Sequence, residues 1–147
     1  MSNRDEIVLE ARRWIGTPYV HQASCLGGGT DCLGLIRGVW RALIGCEPQL
    51  IPHYNMDWMD MSREDPLQTA ATKWLLSKPI SSKEVGDVLL FRLTPGGTAR
   101  HMGISAENGG NPTFIHAYST HCVLETSLSI PWQRRIVARF DFPIGER

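Results

Sequence analysis

Long apolar runs are missing from this 147-residue sequence. A membrane-crossing helix needs about 20 consecutive apolar residues, and no stretch approaches that length, so membrane insertion is not expected. The opening Met1-Ser2-Asn3-Arg4-Asp5-Glu6 lacks the apolar centre of a secretory signal. The chain is therefore expected to be made in the cytoplasm and, if exported, to leave by another route. A charge excess is absent too: 15 Lys plus Arg balance 15 Asp plus Glu. Such a chain offers no broad basic field to gather phosphates, which argues against a nucleic-acid partner. Repeats and low-complexity tracts are lacking, which removes solenoids and linkers and leaves one domain spanning residues 1–147. Cysteine is sparse, at 25, 32, 46 and 122, with no close CxxC pair. That spacing provides no zinc framework, so neither a metal nor a cofactor is expected. A domain able to build its own core does not need disulfides, and all four thiols are read as reduced.

What is present is an ordered change of texture. Asn3 with Glu6 can form a capping box, and Ile7, Ala11, Trp14 and Ile15 share a helical face, predicting a helix over 4–15. Gly16-Thr17-Pro18 stops it. A loop through Gly27-Gly28-Gly29 then leads into a second helix with Leu33, Leu35, Ile36, Val39, Trp40 and Leu43 as its apolar positions, capped by Thr30 or Asp31. Residues 46–63 have no clear period and read as a loop that can wall a groove. A third helix is expected over 65–76, with Leu67, Ala71, Trp74 and Leu75 on one face. Beyond it lie short β-prone segments at 85–93, 102–106, 113–118, 122–126 and 136–142, separated by Gly, Pro and Asn turns. Helices first and an antiparallel sheet second is the α+β pattern.

Cys32 falls at the first turn of the second helix. Free N–H groups and the helix dipole favour an anion there, which suits a nucleophilic thiol. The three preceding glycines leave room for a substrate backbone. The plainer reading, a small buried helix residue, stays open at this point. A thiol nucleophile needs a base, and the base needs a group that fixes its tautomer. His101 and His116 sit fifteen positions apart on what a meander makes adjacent strands, where both rings can meet on one face.

The blocks Gly16-Thr17-Pro18-Tyr19, Asp31-Cys32-Leu33-Gly34-Leu35, Gly86-Asp87-Val88-Leu89-Leu90-Phe91, His101-Met102-Gly103-Ile104 and Ile115-His116-Ala117 resemble, in order, those of the NlpC/P60 family of cell-wall cysteine peptidases. The resemblance implies a papain-like α+β fold with N-terminal helices packed on a C-terminal antiparallel sheet. It also implies Cys32 as nucleophile, His101 as general base and His116 as orienter. Tyr19 matches a tyrosine that lines the site, and Asp31 an acidic residue able to meet a free amine on a peptidoglycan stem peptide. Leu33 stands where many members have Ser, which removes one contact associated with that amine. Val85 replaces a usual Pro without touching the catalytic blocks.

Tyr19-Val20-His21-Gln22 together with Asp31-Cys32-Leu33-Gly34 resembles the branch found in tails of phages and gene transfer agents. The family resemblance implies cleavage of the γ-D-glutamyl bond to a diamino acid, and the branch implies tail-tip or hub proteins as partners and action in the periplasm or cell wall. Two rivals stand beside it. One is a catalytically silent structural tail component. The other keeps the Cys-His chemistry on a different substrate, as an amidase, an acyltransferase or a peptidase that matures a tail protein. Among the remaining residues, Trp14, Trp40 and Trp74 are expected in the core, while Trp58 and Trp132 can line a groove. His21, His53 and His121 read as surface or loop residues, His21 and His53 as possible flanks of a cleft, and Cys25, Cys46 and Cys122 as inert.

Overall fold

The computed structural model describes residues 2–48 and 66–144. The expected loop therefore lies mostly outside the described residues, together with His53 and Trp58. Helix α1 spans Asn3–Arg13. Its capping box uses Ser2 and Asp5, one residue ahead of the expected Asn3 and Glu6, because Ser2 has the extended backbone of an N-cap and its hydroxyl accepts from the Asp5 N–H. Arg12 and Arg13 oppose the dipole in the last turn. Ile7, Val8, Ala11 and Trp14 are buried, whereas Ile15, expected on that face, lies beyond the helix end and is 45% exposed.

A two-residue hairpin, β1 (Ser24–Cys25) with β2 (Gly29–Thr30), interrupts the glycine-rich loop. It feeds α2 (Cys32–Leu43), whose N-cap is Asp31 rather than Thr30. Two glycines fix how α2 packs. A Cβ at Gly38 would stand 2.1 Å from the Trp14 ring, so α1 and α2 touch through a bare backbone. A Cβ at Gly34 would stand 2.0 Å from the Ala23 carbonyl oxygen, which sets the helix start against the hairpin.

Helix α3 (Pro66–Trp74) is shorter than the expected 65–76, because Leu76–Lys78 leaves it to form β3. The remaining strands are β4 (Val88–Arg92), β5 (Ala99–Asn108), β6 (Asn111–Ala117), β7 (Val123–Ser127) and β8 (Ile136–Asp141). A short helix, α4 (Ile130–Gln133), precedes β8 and was not expected from the sequence. The sheet is antiparallel in the order β3-β8-β4-β5-β6-β7: a β4 to β7 meander extended on the β4 side. With the helices, this is the expected α+β architecture.

Strand alternation divides the apolar residues between two faces. Val88, Leu90, Met102, Ile104, Ile115, Ala117 and Phe140 join Leu35, Ile36 and Val39 of α2 and the apolar face of α1 in the main core. Leu89, Phe91, Phe114 and Leu128 form a smaller cluster on the other face, with Trp132 and Ile136 against it. Trp14 is core as expected, but Trp40 and Trp74 are only half-buried.

One end of the sheet is tied by charge. Asp87 is fully buried. Its Oδ1 accepts from Arg4 and Lys78, each at 2.9 Å, and its Oδ2 from Arg139 at 2.7 Å and the Glu84 N–H at 2.9 Å. One carboxylate thereby joins α1, β3 and β8 to the turn before β4. Replacing it by alanine leaves Arg139, itself 3% exposed, as an uncompensated buried charge. Asp87→Ala is expected to lower unfolding stability by about 3–5 kcal/mol in chemical denaturation. A loss below about 1 kcal/mol would show that Glu84 and Asp141 take over the pairing.

Candidate active site

Asp31 fixes where α2 begins. Its Oδ1 accepts from the Gly34 N–H at 2.7 Å, and its Oδ2 from the Gln22 N–H at 2.8 Å. The second bond holds Gln22 at φ 66, a left-handed conformation uncommon for a residue with a side chain. Asp31 is 2% exposed, so the structure gives it the cap role, and its reading as a contact for a substrate amine rests on the resemblance. His21, read as a surface or loop residue, reaches this carboxylate with Nδ1 at 4.0 Å from Oδ2.

Cys32, the first residue of α2, is half-buried and packs against the edge of the main core. Its sulfur lies near the backbone N–H groups of Cys32, Leu33 and Met102, all of which favour a thiolate. Burial first, and then the Asp31 carboxylate, outweigh them and push the thiol up to about 12. Met102 is the residue after His101, so the first turn of α2 meets β5 beside the expected base. Tyr19 packs at the same edge. Burial, then the charges available to Cys32 and Asp31, push its phenol up to about 12, keeping a proton it can donate.

The two histidines converge as the meander requires. His101 Nε2 and His116 Nδ1 are 2.7 Å apart, in a buried hydrogen bond between β5 and β6. Gly103 makes the approach possible: a Cβ there would fall 2.9 Å from Phe114 Cδ2 and 3.3 Å from His116 Cβ. The His116 ring stacks on Phe114 with centroids 4.1 Å apart, and Trp132 of α4 lies edge-on to it at 5.8 Å. Trp132, read as able to line a groove, covers the histidine pair. Burial, then His116, hold His101 down at about 3, and burial holds His116 down at about 4.

The resting site is therefore electrically quiet, with a neutral thiol and two neutral imidazoles. His101 commits Nε2 to His116, which leaves Nδ1 as the ring nitrogen for a thiol proton. Among the described residues Cys32 and His101 are not hydrogen-bonded to each other. Sequence reasoning missed Thr126, whose Oγ1 is 2.8 Å from His116 Nε2. Strand pairing was the signal that could have found it, since β7 runs beside β6 with Thr126 opposite Phe114. Among the described residues no three His, Cys, Asp or Glu side chains converge as a metal site requires. No helix among them is long and apolar enough to cross a membrane.

The NlpC/P60 family model matches residues 16–140, a stretch that holds Tyr19, Asp31, Cys32, His101 and His116. The chain belongs to the NlpC/P60 family. Family members are cysteine peptidases, and relatives of this chain are named as cell-wall hydrolases. It is 30% identical over 137 residues to the murein DD-endopeptidase MepS/murein LD-carboxypeptidase of Escherichia coli (strain K12), covering 90% of this chain and 59% of that protein. It is 28% identical over 140 residues to the gamma-DL-glutamyl hydrolase of Bacillus subtilis (strain 168), covering 92% of this chain and 29% of the other. The chain thus spans less than two thirds of both relatives. Among solved structures, the NlpC/p60 domain of the peptidoglycan hydrolase SagA superposes with TM-score 0.63 at 26% identity, covering 96% of this chain and all of that one. An NlpC/P60 family protein from Bacillus cereus ATCC 10987 has TM-score 0.65 at 18% identity, over 94% of this chain and 39% of that one, and supports the fold.

The histidine pair gives a pH signature. In the unfolded chain both rings take up protons near 6.5, while in the folded chain they stay neutral until about 4 and about 3. Their lowered folded values contribute stability above 6.5 that is lost as pH falls toward those values. Between pH 6.5 and 5, before most carboxylates titrate, unfolding stability is expected to drop by up to about 1.4 kcal/mol per pH unit for each ring. His101→Gln should flatten part of that slope in urea titrations at stepped pH. Equal slopes in parent and variant would mean that His101 is protonated in the fold.

Proposed function

We propose that the chain hydrolyses an amide bond in peptidoglycan stem peptides, with Cys32 as nucleophile, His101 as general base and His116 as orienter. The observation that carries this reading is the N-terminus of α2 delivering a cysteine to the strand residue next to a hydrogen-bonded histidine pair. Because the resting thiol is neutral, proton removal accompanies attack. The S–H bond breaks, His101 Nδ1 gains the proton, and sulfur bonds the scissile carbonyl carbon. The oxyanion finds the N–H groups near the sulfur and the Tyr19 phenol, which keeps its proton at neutral pH. The imidazolium then protonates the leaving amine, and water releases the acyl group with His101 again as base.

The γ-D-glutamyl bond to a diamino acid is the scissile bond we favour. The gamma-DL-glutamyl hydrolase relative supports it, as do the blocks around Tyr19 and Cys32. The Escherichia coli relative, named as a murein DD-endopeptidase, supports a second choice in the same polymer. We place the protein in a phage-like tail, beside tail-tip or hub proteins and acting at the wall, on the likeness of Tyr19-Val20-His21-Gln22 to tail-associated members. Its presence in purified particles by peptide mass spectrometry tests this placement, and its absence from them refutes it.

Incubation with purified sacculi, with released fragments identified by mass spectrometry, tests the chemistry. Fragments ending at D-glutamate are expected from the parent, with at least a 10³-fold slower release by Cys32→Ala. Cleavage between D-alanine and the diamino acid would move the assignment to the second bond. A cut at muramic acid would make the protein an amidase, and no release would support a structural tail component.

A further inference from the structure

The orienting histidine has its own partner, on a third strand. His116 faces Leu124 across β6 and β7, and Phe114 faces Thr126. Thr126 therefore lies one diagonal step from His116 on the same sheet face, within reach of a short polar side chain. Its Oγ1 is 2.8 Å from His116 Nε2, and His116 Nδ1 is 2.7 Å from His101 Nε2. The three side chains form one line across β5, β6 and β7.

Each neutral imidazole carries a single ring proton, so this line has two self-consistent patterns. In one, His116 Nε2–H donates to Thr126 Oγ1, His101 Nε2–H donates to His116 Nδ1, and His101 Nδ1 is a bare acceptor. In the other, the Thr126 hydroxyl donates to His116 Nε2, His116 Nδ1–H donates to His101 Nε2, and His101 carries its proton on Nδ1. Only the first lets His101 take a proton from a thiol.

We propose that Thr126 is a positioning residue whose hydroxyl accepts from His116 Nε2–H and thereby leaves His101 Nδ1 free to receive the Cys32 proton. The proposal rests on the roles given above to Cys32 and His101. A hydroxyl suits the task because it can accept without charge: a carboxylate there would favour imidazolium at His116. Thr126 does not touch the reacting atoms, so its contribution belongs in the chemical step rather than in substrate binding.

Two measurements test it. Nitrogen-15 shifts of the histidine rings in the Cys32→Ala protein at neutral pH report the tautomer without any turnover. His116 protonated on Nε2 and His101 on Nε2 are expected, whereas a proton on Nδ1 of either ring overturns the proposal. In sacculus digestion, Thr126→Val, which keeps the shape and removes the hydroxyl, should lower kcat by about 10–100-fold with KM within about 2-fold. Thr126→Ser should restore kcat to within about 3-fold of the parent, on the same expectation for restored outer contacts. A Thr126→Val enzyme with the parent's kcat, or a Thr126→Ser enzyme as slow as Thr126→Val, also overturns it. If the parent released no fragments, the functional reading would fail while the ring shifts still decided the hydrogen-bond pattern.

Discussion

The hydrogen bond between His101 and His116 depends on the pairing register of β5 with β6, and the candidate site depends on that bond. A slip of one residue would turn either ring to the opposite face of the sheet, since side chains alternate along a strand. Gly103 protects the arrangement at its most crowded point, where any side chain would press on Phe114 and His116. The glycine two positions after His101 is therefore a packing requirement of the histidine pair. The aromatic cluster of Phe91, Phe114 and Trp132 closes around both rings and contributes to the burial that lowers their basicity, with His116 adding to the effect at His101.

The molecule separates its electrostatics. At one end of the sheet Asp87 gathers Arg4, Lys78 and Arg139 into a charged hub that ties helix and strands together. A second pairing of Arg12 with Glu125, two bonds of 2.9 Å supported by Thr113, fastens α1 to β6 and β7. The site contains neutral imidazoles, a neutral thiol and a protonated phenol, with Asp31 as the buried acid beside them. In the mechanism we propose, charge develops there during attack, and the N–H groups beside the Cys32 sulfur are already placed to stabilise it. Burial suppresses the resting thiolate.

Much of this was legible in the sequence. Periodicity placed α1 and α2, and Cys32 at the helix start followed from the loop before it and the apolar face behind it. The fifteen-residue spacing of two histidines on short β segments predicted their meeting, because a meander makes such strands neighbours. Other features escaped for identifiable reasons. Strand β3 and the hairpin at Ser24–Cys25 are two or three residues long, too short for a period. The cap of α1 slipped from Asn3 to Ser2 because both residues suit it and only backbone geometry separates them. Thr126 carries no signal alone and acquires one only through the pairing of β7 with β6. The balance between helix dipole and burial at Cys32 is likewise a property of packing around the sulfur.

The central claim is that Cys32 and His101 act as one unit. Its most direct test compares kcat/KM on sacculi for Cys32→Ser, His101→Gln and the double variant. Groups that work through one shared proton lose their effect together, so the double variant should be no slower than the slower single variant. Losses that multiply, or a His101→Gln enzyme as fast as the parent, would contradict the account.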